Sequence, residues 1–319
     1  NTFHQIMSKD YTNIERQTKK IYIEQHKNYQ KDPSIFDRHL ESSESLESYD
    51  LPADFFSGIS VLDAGCGNAG YFQVAMRNLG VSKVACMDIG DDWIPELKSV
   101  LSSHGVPEDF SEYMPGSTTE IPFPENSFDF VASNGVLMHL DGKEQAAQAL
   151  KELTRVTKPG GFVFAHIGID SPGIVDRYIV PSLRAAYAED LEFREFIDNA
   201  DPAQIVDALK NIYGNVAQHD ESLAVVSQEL EHLITLDTTT FWQNMIQVPV
   251  QQGPLLSEEW GKGTMEKCGL MDVRRPQGIY WKRNDFRKYL APIHYSLKDP
   301  IAKLFYGNGH VKLIGQKKV

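Results

Sequence analysis

The chain has 319 residues with 41% hydrophobic and 24% charged side chains, as is usual for a globular protein. It contains no apolar run long enough to cross a bilayer, so we expect no membrane partner. The 31 basic and 44 acidic residues give a net charge of −13, the wrong sign for neutralising nucleic-acid phosphates, so we expect no nucleic-acid partner. Three cysteines cannot form a disulfide scaffold and the first residues lack the pattern of a secretory signal, which together predict a cytoplasmic location.

Strand-like and helical patterns alternate over the first half of the chain. Residues 1–57 are polar and charged and predict an N-terminal helical cap. Over residues 58–168, amphipathic helical spacing separates short apolar segments that predict strands, namely 59–63, 83–88, 128–133 and 162–167. Parallel strands joined by helices form right-handed crossovers, so this alternation predicts an α/β fold with a parallel sheet.

The alternation of strand-like and helical patterns ends after residue 168. Residues 169–256 show no convincing buried strand, and caps at Asp201, Asp220 and Asp237 predict successive helices. Ser257 is expected to begin a last core helix, which two strand-like segments follow. We therefore predict four parts, which are the cap at 1–57, a cofactor-binding α/β core at 58–168, a helical insertion serving as substrate lid at 169–256, and a C-terminal completion of the core sheet at 257–319.

The glycine-rich segment Asp63-Ala64-Gly65-Cys66-Gly67-Asn68-Ala69-Gly70 is the strongest indication of function. Glycines between a strand and a helix let the main chain approach a ligand closely. The spacing of Gly65, Gly67 and Gly70, with Asp88 further on, also fits a dinucleotide site, so an NAD(P)-dependent oxidoreductase is one alternative. Asp63 favours another ligand, because an acid there can pair with an ammonium group but gains nothing from a pyrophosphate.

Four segments, in this order and spacing, resemble the class I S-adenosylmethionine-dependent methyltransferases with a type 11-like core. They are Asp63-Ala64-Gly65-Cys66-Gly67, Asp88-Ile89, Phe123-Pro124-Glu125-Asn126-Ser127-Phe128-Asp129, and the stretch from Leu150 to Gly161. The resemblance implies a Rossmann-like sheet of seven mostly parallel strands flanked by helices, with the two late strand-like segments as its antiparallel pair. It also implies S-adenosylmethionine as cofactor.

The resemblance also assigns the cofactor-binding residues. Asp63 is expected on the side of the methionyl ammonium, and Gly65 and Gly67 along the methionine and ribose. Asp88 is expected to accept from both ribose hydroxyls, and Ile89 to cover one face of the adenine. Asn134 is expected to touch the methionyl portion through its main chain. Ser117 and Thr118 lie where the family often has an aspartate that accepts from the adenine amino group, and they are expected to contact the adenine.

Two histidines are the candidate catalytic residues. A general base works best when its pKa is near the working pH, which favours histidine. His139 follows the strand predicted at 128–133, where the acceptor pocket of such a fold opens, and His166 lies near the end of the strand predicted at 162–167. The alternative for His139 is a structural role, and for His166 it is strand packing. Cysteine and histidine spacing suggests no zinc site, so no metal is expected.

Together these features predict an enzyme that methylates a small molecule, with oxygen of a hydroxyl or carboxyl group as the expected acceptor. Carbon or nitrogen methylation is the nearest alternative, because nothing in the sequence discriminates among the three. A non-catalytic cofactor-binding subunit is a further alternative from another class.

Overall fold

The computed structural model describes residues 22, 33–52, 54–170, 178, 180–201, 203–204, 207, 211, 246, 256–276 and 309–319. Seven strands form one sheet in the order β3-β2-β1-β4-β5-β7-β6. Their bounds are β1 Ser60–Ala64, β2 Lys83–Asp88, β3 Ser111–Pro115, β4 Phe128–Ser133, β5 Thr157–Asp170, β6 Leu270–Arg274 and β7 Gly309–Lys317. The pairs among β1 to β5 are parallel, whereas β6 and β7 are antiparallel. This confirms the predicted α/β class and the antiparallel late pair.

Within residues 58–168, helices lie where amphipathic spacing predicted them, and further helices lie outside that range. The helices of the described residues are α1 Pro33–Glu44, α2 Tyr71–Asn78, α3 Ile94–Ser103, α4 Gly142–Val156, α5 Val180–Glu189, α6 Leu191–Asn199 and α7 Glu258–Lys267. Ser257 begins α7 as predicted, since its hydroxyl accepts from the Trp260 N–H at 3.1 Å. The helices predicted at Asp220 and Asp237 lie outside the described residues.

Both faces of the sheet are covered. Successive strand residues point to opposite faces, so Val61 and Cys86 belong to one buried cluster while Leu62 and Met87 belong to the other. The first cluster includes side chains of α1, α2 and α3, and the second includes side chains of α4 and α7. Strands buried on both faces explain the continuous apolar runs in β1, β2 and β4.

The chain divides into two compact units, one of Asn1–Gly168, Gln252–Gly278 and Val311–Val319, the other of Ile169–Gln251 and Ile279–His310. The first unit holds the sheet. The predicted four-part division, including the lid role of residues 169–256, stays a prediction.

Two consecutive helices of the second unit support the proposal of a helical insertion. Asp190 separates α5 from α6 and caps α6, its carboxylate accepting from the Phe193 N–H at 3.0 Å. The Tyr187 hydroxyl of α5 donates to Asp198 of α6 at 2.7 Å, and the Arg194 Nε–H donates to the Tyr187 carbonyl at 2.8 Å. These bonds join the two helices as a pair.

The sequence patterns missed β3, which lies at the edge of the sheet. Most of its residues are only partly buried, and it ends at Pro115, which an edge strand tolerates. A strand buried on part of its surface carries a weak apolar pattern, and this explains the omission.

The predicted start of β5 was also wrong. The apolar segment predicts a strand over 162–167, and Lys158-Pro159-Gly160-Gly161 before it predicts a break, but the strand begins at Thr157. Residues 158–161 form a bulge opposite Asp129, since the register shifts between Phe128 and Phe130. The proline and two glycines that suggested a break lie within this bulge.

A partly buried ion pair joins α4 to the segment that precedes β4. The Arg155 guanidinium donates to both carboxylate oxygens of Glu152 at 2.8 Å, and to the carbonyls of Ile121 and Phe123 at 2.9 Å. Glu152 also accepts from the Ile121 N–H at 2.9 Å. The hydrogen bond from Arg155 lowers the pKa of Glu152. The pair thus fixes the path of the chain between β3 and β4.

Gly161 offers a test of the β4–β5 contact. A Cβ at this position would lie 2.6 Å from the Asp129 carbonyl oxygen and 3.0 Å from the Lys158 carbonyl oxygen. We expect Gly161→Ala to lower the free energy of unfolding by about 1 to 3 kcal/mol, because main-chain atoms must shift to admit the methyl group. Urea unfolding measures the difference.

Gly263→Ala is the matched control. Gly263 lies in α7 and a Cβ there meets no atom within 4 Å. Alanine in a helix should stabilise the protein by up to about 1 kcal/mol. Equal unfolding free energies for the two variants would contradict the tight contact at Gly161.

Candidate functional site

The turn between β1 and α2 is held in a conformation that requires glycine. The φ angles of Gly65, Gly67 and Gly70 are +94°, +55° and +80°, in the region that side chains disfavour. A Cβ on Gly65 would also lie 2.1 Å from Cγ2 of Val136, in the loop after β4. The Gly65 N–H donates to the Met87 carbonyl of β2 at 2.7 Å. The turn is therefore packed between β2 and the β4 loop at the carboxyl ends of the strands.

The Asp88 carboxylate, at the end of β2, is oriented by main-chain donors. Its Oδ2 accepts from the Gly67 N–H at 2.7 Å, and its Oδ1 accepts from the Ile89 N–H at 2.7 Å. A carboxylate has about four lone-pair sites, so these two main-chain donors alone do not fill it. The sequence analysis assigned Gly67 and Asp88 separately to a ligand. The structure joins them by a hydrogen bond, which holds the Asp88 carboxylate in place.

Asp63, the last residue but one of β1, is 5% exposed, and its carboxylate accepts from Gln73 Nε2 at 2.7 Å. Burial, opposed by the Gln73 hydrogen bond and reinforced by the charge of Asp88, raises the pKa of Asp63 to about 7. Near neutral pH the group is therefore balanced between its acid and carboxylate forms. A cation placed beside it would favour the carboxylate.

Gln73 is a site residue that the sequence analysis missed. It lies on α2, is 1% exposed, and its Oε1 is buried without a hydrogen-bond partner among the described residues. A polar residue at the buried face of an amphipathic helix was the available signal. Its amide joins the Asp63 carboxylate to α2 by a hydrogen bond.

The loop after β3 contains Ser117 and Thr118, which are 8% and 5% exposed. The Ser117 hydroxyl lies 2.9 Å from the Thr119 hydroxyl and accepts from the Thr119 N–H at 3.3 Å. Gly116 ties the loop to β2, since its N–H donates to the Asp88 carbonyl at 2.9 Å. The Ser117 hydroxyl therefore stabilises its own turn, and the expected adenine contact stays a prediction.

Asn134 directly follows β4, as predicted, and Gly135 follows it with a φ of +84°. The short helix Leu137–His139 comes next. The chain therefore turns sharply at the carboxyl end of β4. This turn puts Val136 against the glycine turn and places His139 three residues further on.

His139 is 9% exposed, and its Nε2 lies 2.9 Å from the Tyr22 hydroxyl. Nδ1 is buried and has no hydrogen-bond partner among the residues that the structure describes. Burial lowers the pKa of His139 to about 4, so the imidazole is neutral at physiological pH. A neutral imidazole can accept a proton. Tyr22 was not recognised from the sequence, because no local pattern links residues so far apart.

His166 lies on β5 and is 7% exposed. It directly follows Ala165, which pairs with Ser133 at the end of β4. Because side chains alternate along a strand, His166 lies on the same face of the sheet as Phe164. The structure therefore places it near the carboxyl ends of the central strands.

Cys66 within the glycine turn is expected to pack and not to react. Burial and the neighbouring Cys86 raise the pKa of the Cys66 thiol well above its ordinary value. The thiol is therefore protonated at physiological pH, and a protonated thiol is a poor nucleophile.

Among the residues that the structure describes, no group of three or more histidine, cysteine, aspartate or glutamate side chains is placed to hold a metal ion. No helix in the same residues is long and apolar enough to span a membrane.

The chain is similar to methyltransferases over its α/β core. Residues 62–165 match a family model described as a methyltransferase domain. A tRNA (carboxymethyluridine(34)-5-O)-methyltransferase of Arabidopsis thaliana is 36% identical over 107 residues, which cover 34% of this chain and 23% of that protein. A malonyl-[acyl-carrier protein] O-methyltransferase of Buchnera aphidicola is 35% identical over 108 residues, covering 34% and 39%.

A ubiquinone/menaquinone biosynthesis C-methyltransferase of Hahella chejuensis is 34% identical over 106 residues, covering 33% of this chain and 41% of that protein. The chain thus spans less than half the length of these curated relatives. Residues 62–165, which match the family model, contain the glycine turn, Asp88 and the loop after β4. The strand order, the geometry of the turn and the family match agree, and the chain contains a class I S-adenosylmethionine-dependent methyltransferase domain.

Proposed function

We propose that this chain transfers the methyl group of S-adenosylmethionine to a small-molecule acceptor, at an oxygen atom. The observation that carries the proposal is the glycine turn with a carboxyl group on each side, Asp63 at the end of β1 and Asp88 at the end of β2. S-adenosylmethionine carries an ammonium group and a ribose diol, and these two groups suit the two carboxylates. Gly65 and Gly67 carry no side chain and have positive φ angles, so the main chain of the turn can approach a ligand closely.

The same geometry disfavours the dinucleotide alternative. A pyrophosphate at a glycine turn needs main-chain N–H donors. The Gly67 N–H already donates to the Asp88 carboxylate, and Asp63 lies close enough for the charge of Asp88 to raise its pKa. Two acidic groups beside the turn would repel a pyrophosphate and attract a ligand that carries positive charge.

In the mechanism that we propose, most of the lowering of the reaction barrier comes from the geometry in which donor and acceptor are bound. Bound S-adenosylmethionine supplies a methyl carbon activated by a sulfonium. Asp88 holds the ribose, Asp63 pairs with the ammonium, and the main chain at Asn134 lies along the methionyl portion. Holding donor and acceptor in line at contact distance can contribute about 7 to 11 kcal/mol to the lowering of the barrier. Ile89, Ser117 and Thr118 are proposed to surround the adenine.

The acceptor assignment is supported by His139 and by the charge of the chain. A buried neutral imidazole can remove the proton of a hydroxyl as it is methylated. The net charge of −13 disfavours a nucleic-acid acceptor, although curated relatives of the domain include a tRNA methyltransferase. His166 is the second candidate base. Relatives named as O- and C-methyltransferases make carbon methylation the alternative to test.

Asp88→Asn tests the donor site. We expect the substitution to weaken S-adenosylhomocysteine binding at least tenfold. An amide has only one oxygen, so it cannot accept from the Gly67 and Ile89 N–H groups and from the ribose hydroxyls as well. Isothermal titration measures the affinity. Asp91→Asn, which removes the same charge from an exposed side chain nearby, should bind normally. Binding of NAD by the unaltered protein would contradict the proposed donor.

Asp63 makes binding depend on pH. With a pKa of about 7 in the free protein, the group is protonated below neutrality, and pairing with the ligand's ammonium requires the carboxylate. Binding therefore releases a proton at low pH, and the affinity for S-adenosylhomocysteine should be about tenfold weaker at pH 6 than at pH 8. Asp63→Asn should bind weakly with a flat profile between those values. An unchanged slope in Asp63→Asn would exclude Asp63 as the titrating group.

A methyl-transfer assay with isotopically labelled donor tests the acceptor. The panel contains alcohols, phenols, carboxylic acids, amines and tRNA, and product mass spectrometry locates the methyl group. We expect an oxygen-methylated small molecule, and we expect His139→Gln to lower turnover about 100-fold while S-adenosylhomocysteine affinity is retained. His104→Gln, at an exposed histidine, is the control. Transfer to carbon, to nitrogen or to tRNA alone would contradict the oxygen assignment.

A further inference from the structure

The contact between Tyr22 and His139 joins the N-terminal segment to the loop after β4. The Tyr22 hydroxyl and His139 Nε2 are 2.9 Å apart, and the ring centroids are 5.1 Å apart with an interplanar angle of 57°. The two residues are 117 positions apart in sequence. The bond therefore exists only in the folded protein.

The burial of His139 limits which nitrogen carries the proton. The neutral imidazole has one N–H and one lone pair, and Nδ1 has no hydrogen-bond partner among the described residues. If Tyr22 donated to Nε2, the proton would be on Nδ1, and a buried N–H would be left unpaired. If Nε2–H donates to the Tyr22 oxygen, only a lone pair is left unpaired. Unpaired buried N–H groups are the rarer of the two in proteins, which favours the second arrangement.

We infer that Tyr22 is a positioning residue that fixes the Nε2–H tautomer of His139, so that Nδ1 is the atom that accepts the proton of a hydroxyl substrate. This inference rests on the proposed methyl transfer to oxygen. It assigns the role of base to one nitrogen of one histidine, and it gives the N-terminal segment a part in the chemistry through Tyr22.

The proton and electron balance of the step is simple. The acceptor oxygen forms a bond to the methyl carbon while the carbon–sulfur bond breaks. The electron pair of the broken carbon–sulfur bond remains on sulfur. The hydroxyl proton moves to Nδ1, which gives an imidazolium that still donates from Nε2 to Tyr22. The proton then leaves to solvent with the product. Methylation makes the hydroxyl proton strongly acidic as the new bond forms, so even a weakly basic imidazole can accept it.

Nitrogen NMR of histidine-labelled protein reads the tautomer directly. His139→Gln assigns the resonances of His139 by their loss. We expect the unaltered protein to show Nε2 protonated and Nδ1 unprotonated at pH 7, and Tyr22→Phe to show a mixture of the two tautomers. A protonated Nδ1 in the unaltered protein, or an unchanged tautomer in Tyr22→Phe, would overturn the inference.

Tyr49→Phe is the matched control. Tyr49 is 3% exposed and its hydroxyl donates to the Ser43 carbonyl at 3.0 Å, so the substitution also removes a hydroxyl from a tyrosine of the N-terminal region. It should leave the His139 tautomer unchanged. A change of tautomer in Tyr49→Phe would show that general loosening of the fold, and not the lost bond to Nε2, explains the result.

Kinetics with the acceptor found in the panel give the second measurement. Tyr22→Phe should lower kcat about tenfold, the effect of one neutral hydrogen bond, with KM and S-adenosylhomocysteine affinity retained. Equal kcat for Tyr22→Phe and the unaltered protein would overturn the positioning role. Failure of the unaltered protein to bind S-adenosylhomocysteine would instead refute the proposed function, while the NMR result would still report whether Tyr22 fixes the tautomer.

Discussion

The hydrogen bond from the Gly67 N–H to the Asp88 carboxylate is the contact on which the site depends. It joins the glycine turn after β1 to the end of β2, so that the turn and the acid that we assign to ribose are fixed by each other. Gly65 reinforces the arrangement, because its N–H donates to the neighbouring Met87 carbonyl and its lack of a side chain admits Val136. A ligand at this edge of the sheet therefore meets a preorganised surface, and little ordering is needed when it binds.

Burial gives the two ends of the site different protonation behaviour. It raises the pKa of Asp63 and lowers that of His139, since in both cases the charged form loses hydration. Asp63 is therefore partly protonated until a bound cation favours its carboxylate, whereas His139 remains a neutral imidazole. The first shift makes binding of a cationic donor depend on pH, and the second keeps His139 neutral although it also weakens the imidazole as a base. The hydrogen-bond partners, Gln73 for Asp63 and Tyr22 for His139, determine the orientation of each group.

Most of the fold follows from local patterns in the sequence. The apolar runs of β1, β2 and β4 and the spacing in α2, α3 and α4 predict the α/β core, because buried parallel strands and amphipathic helices have different periods. The edge strand β3 has only a weak apolar pattern because its burial is partial, and the proline and glycines at 158–161 predict an interruption where the structure has a bulge, since these residues usually interrupt strands.

The sequence by itself determined the α/β class, the glycine turn and the candidate roles of Asp63, Asp88 and His139. These depend on residue type and on short-range spacing, which the chain carries at every stage of folding. Only the tertiary structure decided that Asp88 fixes Gly67, that Gln73 contacts Asp63 and that Tyr22 contacts His139. Each of these bonds joins residues that are distant along the chain or lie on different elements, so its existence depends on how the elements pack and cannot be read from local spacing.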